Sequence, residues 1–465
     1  MTVTIDRETA DSLLGYLTGA RWFAGKGRLA RLVGLTPLPW LTERSAWPAV
    51  RCEVAEISYA LNQDSADDAD RASGATELYQ LAISYWPTAQ PGLQHAEIGR
   101  LTENELGPVV AYDAMQDPAA CSLLLARLLE QKSLSSGESE VSFQLVSGTA
   151  LVGDLEPAIF TGQQSNTSVM FGDVAMLKLF RRLEIGRNLD IEVHESLSRS
   201  GVADVAQLFG WVTATWPLRS QRSQLVSADL AMVVEKLAEA KDGWGLASDS
   251  LRDQSDFSAE ARDLGRALAE IHDALRTAFP SATVPGEKVA TIMKDRLASA
   301  VDIAPALADH LDGLLSCFEA LTVRQLTTQR VHGDFHLGQT LSTPSGWKII
   351  DFEGEPVKSL AERAELDSVW RDLAGMLRSF DYAAASVPEP TSQDWAAACR
   401  EAFLEGYAGG PLPAAEEAVL WAYVADKAIY EVVYEVRNRP DWVSIPLAAV
   451  AALATAPAAA ETLKE

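Results

Sequence analysis

The feature that most constrains the fold is the segment VHGDFHLGQTLSTPSGWKIIDFEGEP at residues 331–356. Asp334 and Asp351 each follow a short apolar run, and the TPSG sequence between them predicts a turn. We therefore expect two adjacent short strands that bring both carboxylates to one edge, a few ångströms apart. Further polar side chains lie around the first aspartate: His332, His336 and Gln339.

The charge of the chain excludes several classes of main partner. The formal net charge is −26, from 39 Lys+Arg against 65 Asp+Glu. Nucleic acids and anionic membranes bind basic surfaces, so neither is expected as the main partner. A small basic pocket for phosphate remains compatible with this balance. The acidic excess itself mainly indicates solubility.

Cysteine usage and the N-terminal residues indicate a cytoplasmic protein. The four cysteines are far apart and form no CxxC motif, which predicts buried thiols rather than a disulfide framework. The first residues, MTVTIDRETADSLLGYL, lack the basic-then-apolar order of a signal peptide. No apolar run reaches the length that spanning a bilayer requires.

Length and periodicity predict three regions in the 465 residues. Residues 1–90 read as a small α+β unit, with an early helix and three strands of period two, and are typical of a cap. Residues 91–240 hold an intermediate subdomain and then the β-sheet of an N-lobe. Residues 241–465 are mainly helical, and the strand pair of residues 331–356 interrupts these helices.

The sheet of the middle region carries candidate polar groups. The stretch AIFTGQQSNTSVMFGDVAMLKLF predicts strand, polar turn, strand, turn and strand, and its last strand carries Lys178. A helix begins after Asn188 and carries Glu192. VAQLFGWVTA predicts a strand pair, and LAMVVEKL a buried strand that ends near Glu235. The polar turn contains Gln164, Ser165, Asn166, Thr167 and Ser168.

These residues together are typical of phosphoryl transfer from ATP, which requires positioning and cations more than covalent chemistry. Lys178 supplies a point charge to the α and β phosphates, and Glu192 can pair with it. Glu195, one turn later, is an alternative partner for this lysine. Asp351 is a hard oxygen ligand for Mg²⁺, and Gln339 offers a carbonyl oxygen to a second metal position.

Asp334 completes the set, because it can accept the proton of an attacking hydroxyl or orient that hydroxyl. The HxDxH pattern of His332, Asp334 and His336 also suits a metal hydrolase, since these side chains bind Zn²⁺ or Mn²⁺. The other four histidines show no ligand-like spacing, which disfavours hydrolysis. A role for His332 in bracing the loop by hydrogen bonds is the preferred interpretation.

VHGDFHLGQ followed by IIDFEGEP resembles the Brenner-type motif of aminoglycoside phosphotransferases, choline kinases and related small-molecule kinases, with Gln339 in place of the usual Asn. The resemblance implies an α+β, bilobal, eukaryotic-protein-kinase-like fold with a mainly helical C-lobe. No GxGxxG, HRD or APE motif is present, so a protein kinase is disfavoured.

Three further segments make the resemblance closer: RWFAGKGR, QSNTSVMFGDVAMLKLFRR and DKAIYEVVYEVRNRPDW. Together they resemble actinobacterial maltokinases over nearly the whole chain. That family carries an N-terminal α+β cap subdomain and transfers the γ-phosphoryl of ATP to the anomeric hydroxyl of maltose. Its product, maltose 1-phosphate, feeds α-glucan synthesis. The DFEGEP ending fits maltokinases better than glucosamine kinases, for which a DFDGNP-like form is expected.

For the reacting groups, the resemblance implies Asp334 as the catalytic base, and we count His332 with it among the catalytic residues. It implies Gln339 and Asp351 as Mg²⁺ ligands, and Glu353 can assist at the metal.

For the nucleotide, it implies Lys178 as the phosphate lysine with Glu192 as its partner, and residues 163–168 as the loop over the phosphates. The adenine is expected to meet backbone groups near the end of the buried strand, at Val234, Glu235 and Leu237.

Candidate acceptor residues lie on the C-terminal helices. Lys427, Tyr430, Glu431 and Tyr434 have i, i+3, i+4 and i+7 spacing and share one face. Polar groups beside aromatic rings suit a sugar, although an ordinary amphipathic helix with ion pairs has the same pattern. Trp370 and Arg371 are similarly ambiguous. The complete candidate set is Tyr382, Asp426, Lys427, Tyr430, Glu431, Tyr434 and Arg437.

Other acceptors and other roles stay open. The acceptor could be an acarbose-like pseudo-sugar, whose reducing end is a maltose unit, or glucosamine or an aminoglycoside. An acidic pocket would favour a cationic acceptor. A catalytically silent scaffold on a kinase fold is the alternative from a different class, and the intact Lys178, Asp334 and Asp351 argue against it. Assembly with another enzyme of the pathway is compatible with the sequence, although no residue indicates it.

Overall fold

The computed structural model describes residues 7–43, 45–59, 76–149, 151–160, 166–219, 224–355, 358–387 and 391–455. The chain divides into two compact units. The first comprises residues 1–191 and 207–237, and the second comprises residues 192–206 and 238–465.

The first unit is built mainly of strands. Its strands are, in chain order, β1 (Ala30–Pro37), β2 (Ala49–Tyr59), β3 (Glu77–Trp86), β4 (Glu97–Glu103), β5 (Gly107–Asp113), β6 (Ser133–Ser136), β7 (Ser139–Leu145), β8 (Pro157–Ile159), β9 (Thr167–Phe171), β10 (Ala175–Leu179), β11 (Arg182–Leu183), β12 (Leu208–Leu218) and β13 (Gln224–Glu235). Its helices are α1 (Arg7–Gly19) and α2 (Pro118–Leu129), and α3 (Leu189–Ser200) begins in this unit and continues into the second.

The strands of the first unit form two antiparallel sheets. The first sheet has the order β1-β2-β3-β5-β4 with β11 paired to β3, and the second has the order β6-β7-β12-β13-β10-β9-β8. Successive side chains of β2 enter different hydrophobic cores. Ala55 and Ile57 pack in the core that contains α1, whereas Val50 and Val54 pack in the core of the second sheet and α2. Alternation of period two therefore fills both faces of the first sheet.

Two sequence-based expectations for this unit are corrected. The predicted boundary at residue 90 falls inside the first sheet, because β5 pairs with β3 through Tyr85 and Ala111. VAQLFGWVTA does not form a strand pair, since residues 208–218 make the single strand β12. Gly210 does not mark a turn. A Cβ there would lie 2.3 Å from the Gln144 carbonyl oxygen, so glycine permits the close approach of β7.

The second unit is mainly helical. Its helices after α3 are α4 (Gly243–Arg252), α5 (Ser258–Ala278), α6 (Gly286–Ile303), α7 (Leu311–Thr322), α8 (Leu360–Arg363), α9 (Trp370–Ser386), α10 (Ser392–Ala408), α11 (Ala414–Asn438) and α12 (Ser444–Thr455). Its strands are β14 (Lys241–Asp242), β15 (Ala282–Pro285), β16 (Gln325–Thr328), β17 (Thr340–Thr343) and β18 (Gly346–Ile349). They pair as β14-β17-β18 and β15-β16. Among the described helices of both units, none has the length and apolar composition that crossing a membrane requires.

Helices α5 and α10 approach each other so closely that their backbones touch. A Cβ at Gly265 of α5 would lie 2.1 Å from the Phe403 carbonyl oxygen, and one at Gly406 of α10 would lie 2.0 Å from the Arg262 carbonyl oxygen. Real Cβ atoms do not approach oxygen so closely, so both helices require glycine at the crossing. This crossing belongs to the largest core of the second unit.

We predict that Gly265→Ala destabilises the protein, because the new methyl group would separate α5 from α10. Overpacking of this kind costs about 1–3 kcal/mol, which outweighs the helix propensity of alanine. Thermal unfolding should show a lower Tm than the wild type. Gly410→Ala is the control, since a Cβ there meets open space. An unchanged or higher Tm for Gly265→Ala would contradict the close approach.

Candidate active site

The segment that carries Asp334 connects two strand pairs of the second unit. β16 pairs with β15, and the chain then runs through residues 331–339 before the β17–β18 hairpin. The expectation that Asp334 and Asp351 end two adjacent strands is therefore wrong, because the strand before Asp334 has another partner. The hairpin instead brings Gln339 towards Asp351, and the Ile350 amide donates to the Gln339 carbonyl oxygen over 3.0 Å.

A buried carboxylate fixes the backbone before Asp334. Asp372, in the first turn of α9, is 0% exposed. It accepts hydrogen bonds from the backbone amides of His332 at 2.7 Å and Gly333 at 2.8 Å, and from Nε2 of His272 at 3.0 Å. Burial raises the pKa of Asp372, but the hydrogen bond and charge of His272 and the other donors hold it below its ordinary value. The ionised carboxylate therefore orders the segment from which Asp334 projects.

His332 acts as a positioning residue. Its Nδ1 accepts a hydrogen bond from the Asp334 amide at 3.3 Å, and its Nε2 donates to the Ile350 carbonyl oxygen at 3.0 Å. Its place among the catalytic residues is corrected accordingly, since both ring nitrogens are engaged with the backbone. His336 accepts from the Gly338 amide through Nδ1, and burial lowers its pKa. This use of the imidazole nitrogens disfavours the metal-hydrolase alternative.

Asp334 lines a pocket that lies within the second unit and has both apolar and charged walls. Nζ of Lys427 lies 3.8 Å from Oδ1 of Asp334. The other charged or hydroxyl-bearing residues of the lining include Lys288, Arg296, Glu355, Glu365, Asp367, Arg371, Tyr423, Asp426 and Tyr430.

Most charged side chains that line this pocket form ion pairs with one another. The guanidinium of Arg371 lies 2.7 Å from Glu355 and 3.0 Å from Asp367, and its Nε donates to the Gly333 carbonyl oxygen at 2.9 Å. Burial raises the pKa of Glu355, but the charges of Arg371 and two lysines and a hydrogen bond from Tyr430 hold it below its ordinary value. Glu355 is therefore ionised at neutral pH.

Asp426 forms its ion pair through one carboxylate oxygen only. Oδ2 pairs with Arg296 at 2.8 Å, whereas Oδ1 is buried without a partner among the described residues. Burial raises the pKa of Asp426 despite the opposing charges of Arg296 and Arg371. Oδ1 of Asp426 is therefore a buried polar atom without a described partner, in a residue that lines the pocket.

The predicted acceptor residues separate into two groups. Asp426, Lys427 and Tyr430 line the pocket. The other four predicted residues do not line it. Glu431 is buried against Arg378 at 2.8 Å, and the Tyr382 hydroxyl donates to Glu435 at 3.1 Å. Tyr434 is exposed and stacks on Tyr430, and Arg437 is also exposed. Contact of these four residues with an acceptor stays a prediction.

Gln339 and Asp351 lie together after the hairpin. Nε2 of Gln339 is 3.3 Å from Oδ2 of Asp351. Asp351 adopts φ 68°, an uncommon left-handed conformation for a residue other than glycine. A carboxylate and an amide group form a hard oxygen donor set, which fits Mg²⁺. Glu353 is the more loosely predicted ligand. Its backbone carbonyl oxygen accepts a hydrogen bond from Arg363 at 2.6 Å.

In the first unit, the partner of Lys178 differs from the predicted one. Nζ of Lys178 donates to Oδ2 of Asp190 at 3.0 Å, and the Asp190 side chain is 3% exposed. Glu192 is instead paired with Arg330 at 3.0 Å, and Glu195 with Arg199. The assignment of Glu192 to the lysine is therefore wrong. Asp190 was not predicted as the partner of Lys178, although it lies in the first turn of the predicted helix, two residues before Glu192.

The other predicted nucleotide residues are described only in part. Gln164 and Ser165 lie outside the described residues. Asn166 precedes β9, and Thr167 and Ser168 begin it, with Ser168 opposite Lys178 across the β9–β10 pair. Val234 and Glu235 end β13, and Leu237 follows at the end of the first unit. Their contact with a nucleotide stays a prediction.

We predict that Asp190→Asn weakens binding of Mg-ATP, because Lys178 loses its neutralising partner and its fixed position. The dissociation constant, measured by calorimetry without an acceptor, should rise about tenfold. Glu192→Gln is the matched control and should stay within about twofold, since Glu192 pairs with Arg330. A larger effect of Glu192→Gln than of Asp190→Asn would reverse the correction.

Comparisons with known proteins agree with this architecture. Residues 16–117 match the maltokinase N-terminal cap domain, and residues 245–419 match the phosphotransferase enzyme family. A glucosamine kinase from Streptacidiphilus jiangxiensis is 30% identical over 321 residues, which are 61% of this chain and 70% of that protein. A glucosamine kinase from Mycolicibacterium smegmatis is 26% identical over 326 residues, which are 63% of this chain and 78% of that protein.

A solved structure supports the same fold. The structure of a glucosamine kinase in complex with glucosamine, ADP and inorganic phosphate aligns with a TM-score of 0.63 at 20% identity, over 96% of this chain and 98% of that one. The predicted fold class is confirmed: a kinase-like domain, an N-terminal cap and a helical C-terminal part. ATP and a divalent metal ion are the cofactors of this family. The chain belongs to the phosphotransferase family of aminoglycoside phosphotransferase-like and choline kinase-like small-molecule kinases, and it carries the maltokinase N-terminal cap domain.

Proposed function

We propose that this phosphotransferase transfers the γ-phosphoryl group of ATP to the anomeric hydroxyl of maltose. The observation that carries the proposal is the charge-paired pocket beside Asp334, and the match of residues 16–117 to the maltokinase cap supports it. The product, maltose 1-phosphate, would feed α-glucan synthesis, as in the maltokinases that the sequence resembles.

The pairing of charges favours a neutral acceptor. Arg371 pairs with both Glu355 and Asp367, and Lys358 lies 3.3 Å from Glu355 as a second cation. Arg296 pairs with Asp426, and Lys427 faces Asp334. Such pairs present many hydrogen-bonding atoms and little uncompensated charge. A neutral disaccharide offers hydroxyl groups to match these atoms and apolar C–H faces for the ring of Tyr430.

Each residue then has a defined role in the transfer. Asp334 accepts the proton as the acceptor oxygen attacks phosphorus, so the products are the sugar phosphate, ADP and a proton. Lys427 holds the Asp334 carboxylate from the acceptor side. Gln339 and Asp351 would hold Mg²⁺, which offsets charge on the phosphates when it is bound. Lys178, fixed by Asp190, supplies a second cation for the phosphates.

Glucosamine is a second candidate acceptor, since two of the relatives are named glucosamine kinases. Asp426, which lines the pocket, favours it, because a carboxylate there can compensate the charge of an ammonium group. Arg296 already compensates part of that charge, so maltose remains the first candidate.

We predict that Asp334→Asn retains nucleotide binding and lowers turnover by about 10³-fold, because the amide cannot take the proton. The dissociation constant of Mg-ATP and the rate of ADP release should be measured on the same preparation. A variant within about tenfold of the wild-type rate would remove Asp334 from the mechanism.

We predict ADP release with maltose but not with glucosamine, glucose, acarbose or kanamycin. Purified protein with Mg-ATP should be assayed on each acceptor, with Asp334→Asn as the control for background hydrolysis. Phosphorus NMR of the product would locate the phosphate on the anomeric oxygen. Preference for glucosamine would favour the second candidate. Nucleotide binding without turnover on any acceptor would favour a catalytically silent scaffold.

A further inference from the structure

Asp229 is a buried carboxylate in β13, the strand that pairs with β10 and so with the strand of Lys178. Its side chain is 2% exposed. Oδ1 accepts a hydrogen bond from the Thr213 hydroxyl at 2.7 Å, and Oδ2 accepts one from the backbone amide of Asn188 at 2.8 Å. Nη1 of Arg187 lies 3.2 Å from Oδ1. These donors replace the water that burial removes from the carboxylate.

An irregularity of β13 determines the position of Asp229. The pairing of β12 with β13 runs from Val212 opposite Ala231 to Thr213 opposite Asp229, so β13 has one extra residue, Leu230. A bulge of this kind bends a strand and redirects its side chains. The pairing of β10 with β13 ends at the same place, at Ala231. Asp229 therefore lies where the chain leaves β10 for α3.

The connection between β10 and α3 is attached to β13 at two points. The Gly186 amide donates to the Ser227 carbonyl oxygen at 2.8 Å, which is a contact between backbone groups. Further along the chain, the Asn188 amide donates to the side chain of Asp229. Asp229 thus extends the attachment of this connection to the residue that precedes α3.

Asn188 connects this attachment to the lysine. Its Oδ1 accepts hydrogen bonds from the amide of Asp190 at 2.9 Å and from that of Ile191 at 3.2 Å, so it caps α3. Asp190 lies in the first turn of α3, and its Oδ2 accepts from Nζ of Lys178 at 3.0 Å. A continuous chain of contacts therefore runs from Asp229 to Lys178 within the first unit.

We propose that Asp229 is a positioning residue for phosphoryl transfer, which fixes Lys178 by holding the start of α3. The proposal rests on the proposed assignment of Lys178 to the phosphates of ATP. A lysine side chain is flexible, so a counter-ion that is itself fixed reduces the entropy lost when the phosphates bind. Interruption of this chain of contacts should therefore lower the affinity for Mg-ATP.

Two variants interrupt the chain of contacts at different points. Asp229→Asn weakens the hold on the Asn188 amide, and Asn188→Ala removes the cap of α3. Binding of Mg-ATP is measured by calorimetry without an acceptor, together with Tm. We expect the dissociation constant to rise about fivefold for Asp229→Asn and about threefold for Asn188→Ala.

A conservative variant distinguishes the cap from other effects at the same position. Asn188→Ser retains a capping oxygen and should stay within about twofold of the wild-type dissociation constant. An equal loss of affinity for Asn188→Ser and Asn188→Ala would show that the cap is not the link, and would overturn the proposal.

A matched control separates this effect from lost stability. Asp117 is also a buried aspartate beside the start of a helix, where it accepts hydrogen bonds from the Ala119 amide at 3.0 Å and from the Trp86 indole at 2.9 Å. Asp117→Asn should lower Tm and leave the dissociation constant of Mg-ATP unchanged. If Asp117→Asn weakens binding as much as Asp229→Asn, general stability explains both effects and the proposal is overturned.

The double variant Lys178→Ala/Asp229→Asn shows whether Asp229 acts through the lysine. Once Lys178 is removed, Asp229→Asn should change the dissociation constant by less than about twofold, because its effect requires the lysine. A further loss of about fivefold in the double variant would mean that Asp229 acts independently of Lys178, which contradicts the proposal.

The single variant Lys178→Ala tests the assignment on which the proposal rests. Weaker binding for Lys178→Ala, with unchanged binding for both Asp229→Asn and Asn188→Ala, would overturn the positioning role alone. Unchanged binding for Lys178→Ala would overturn the assignment of the lysine to the phosphates, and the positioning role with it.

Discussion

The buried carboxylate of Asp372 accepts three hydrogen bonds, and the segment of the second unit that carries Asp334 depends on them. Three nearby residues at the start of α9 act on that segment in different ways. Asp372 holds its amides, Arg371 binds the Gly333 carbonyl oxygen, and Gly375 permits contact, since a Cβ there would lie 2.5 Å from the Phe335 carbonyl oxygen. One helix end therefore sets the position of Asp334, the proposed base. Because Arg371 also pairs with pocket carboxylates, the same helix end sets the charge of the proposed acceptor pocket.

Charge pairing in the pocket bears on specificity more than on stability. A partly buried ion pair gains little net energy over apolar packing, because desolvation offsets the attraction. The pairs of Arg371 and Arg296 with facing carboxylates hold polar atoms at fixed positions around Asp334 and Lys427. Directional hydrogen bonds of this kind discriminate between acceptors, since an acceptor that fails to match them leaves buried groups unpaired. Under the proposed function, Asp426 is the carboxylate at which an aminosugar and a neutral sugar would be distinguished.

Residues close together in the sequence were predicted better than contacts between elements. The mainly helical character of residues 241–465 followed from periodicity, and the proximity of Gln339 and Asp351 followed from one motif of the chain. The partner of Lys178 was not predicted. Asn188 caps α3 and places Asp190 in its first turn, and the spacing of carboxylates along the sequence does not reveal this position. Similarly, Glu431 lies about 100° around the helix from Tyr430, so it faces Arg378 rather than the pocket. Shared spacing defines a face of a helix, but tertiary packing decides how much of that face reaches a site.

The cap region contributes no predicted reacting group, yet it is not separable from the sheet that carries Lys178. Val50 and Val54 of the first sheet share a hydrophobic core with Leu177 and Leu179 of β10, on either side of the lysine. Apolar burial on this face favours the folded form of both sheets together. Hydrogen bonds are directional, whereas apolar packing is not. Arg181 donates to Asp113 of the first sheet and to Thr167 of the second, and these two bonds fix the orientation of the start of β9.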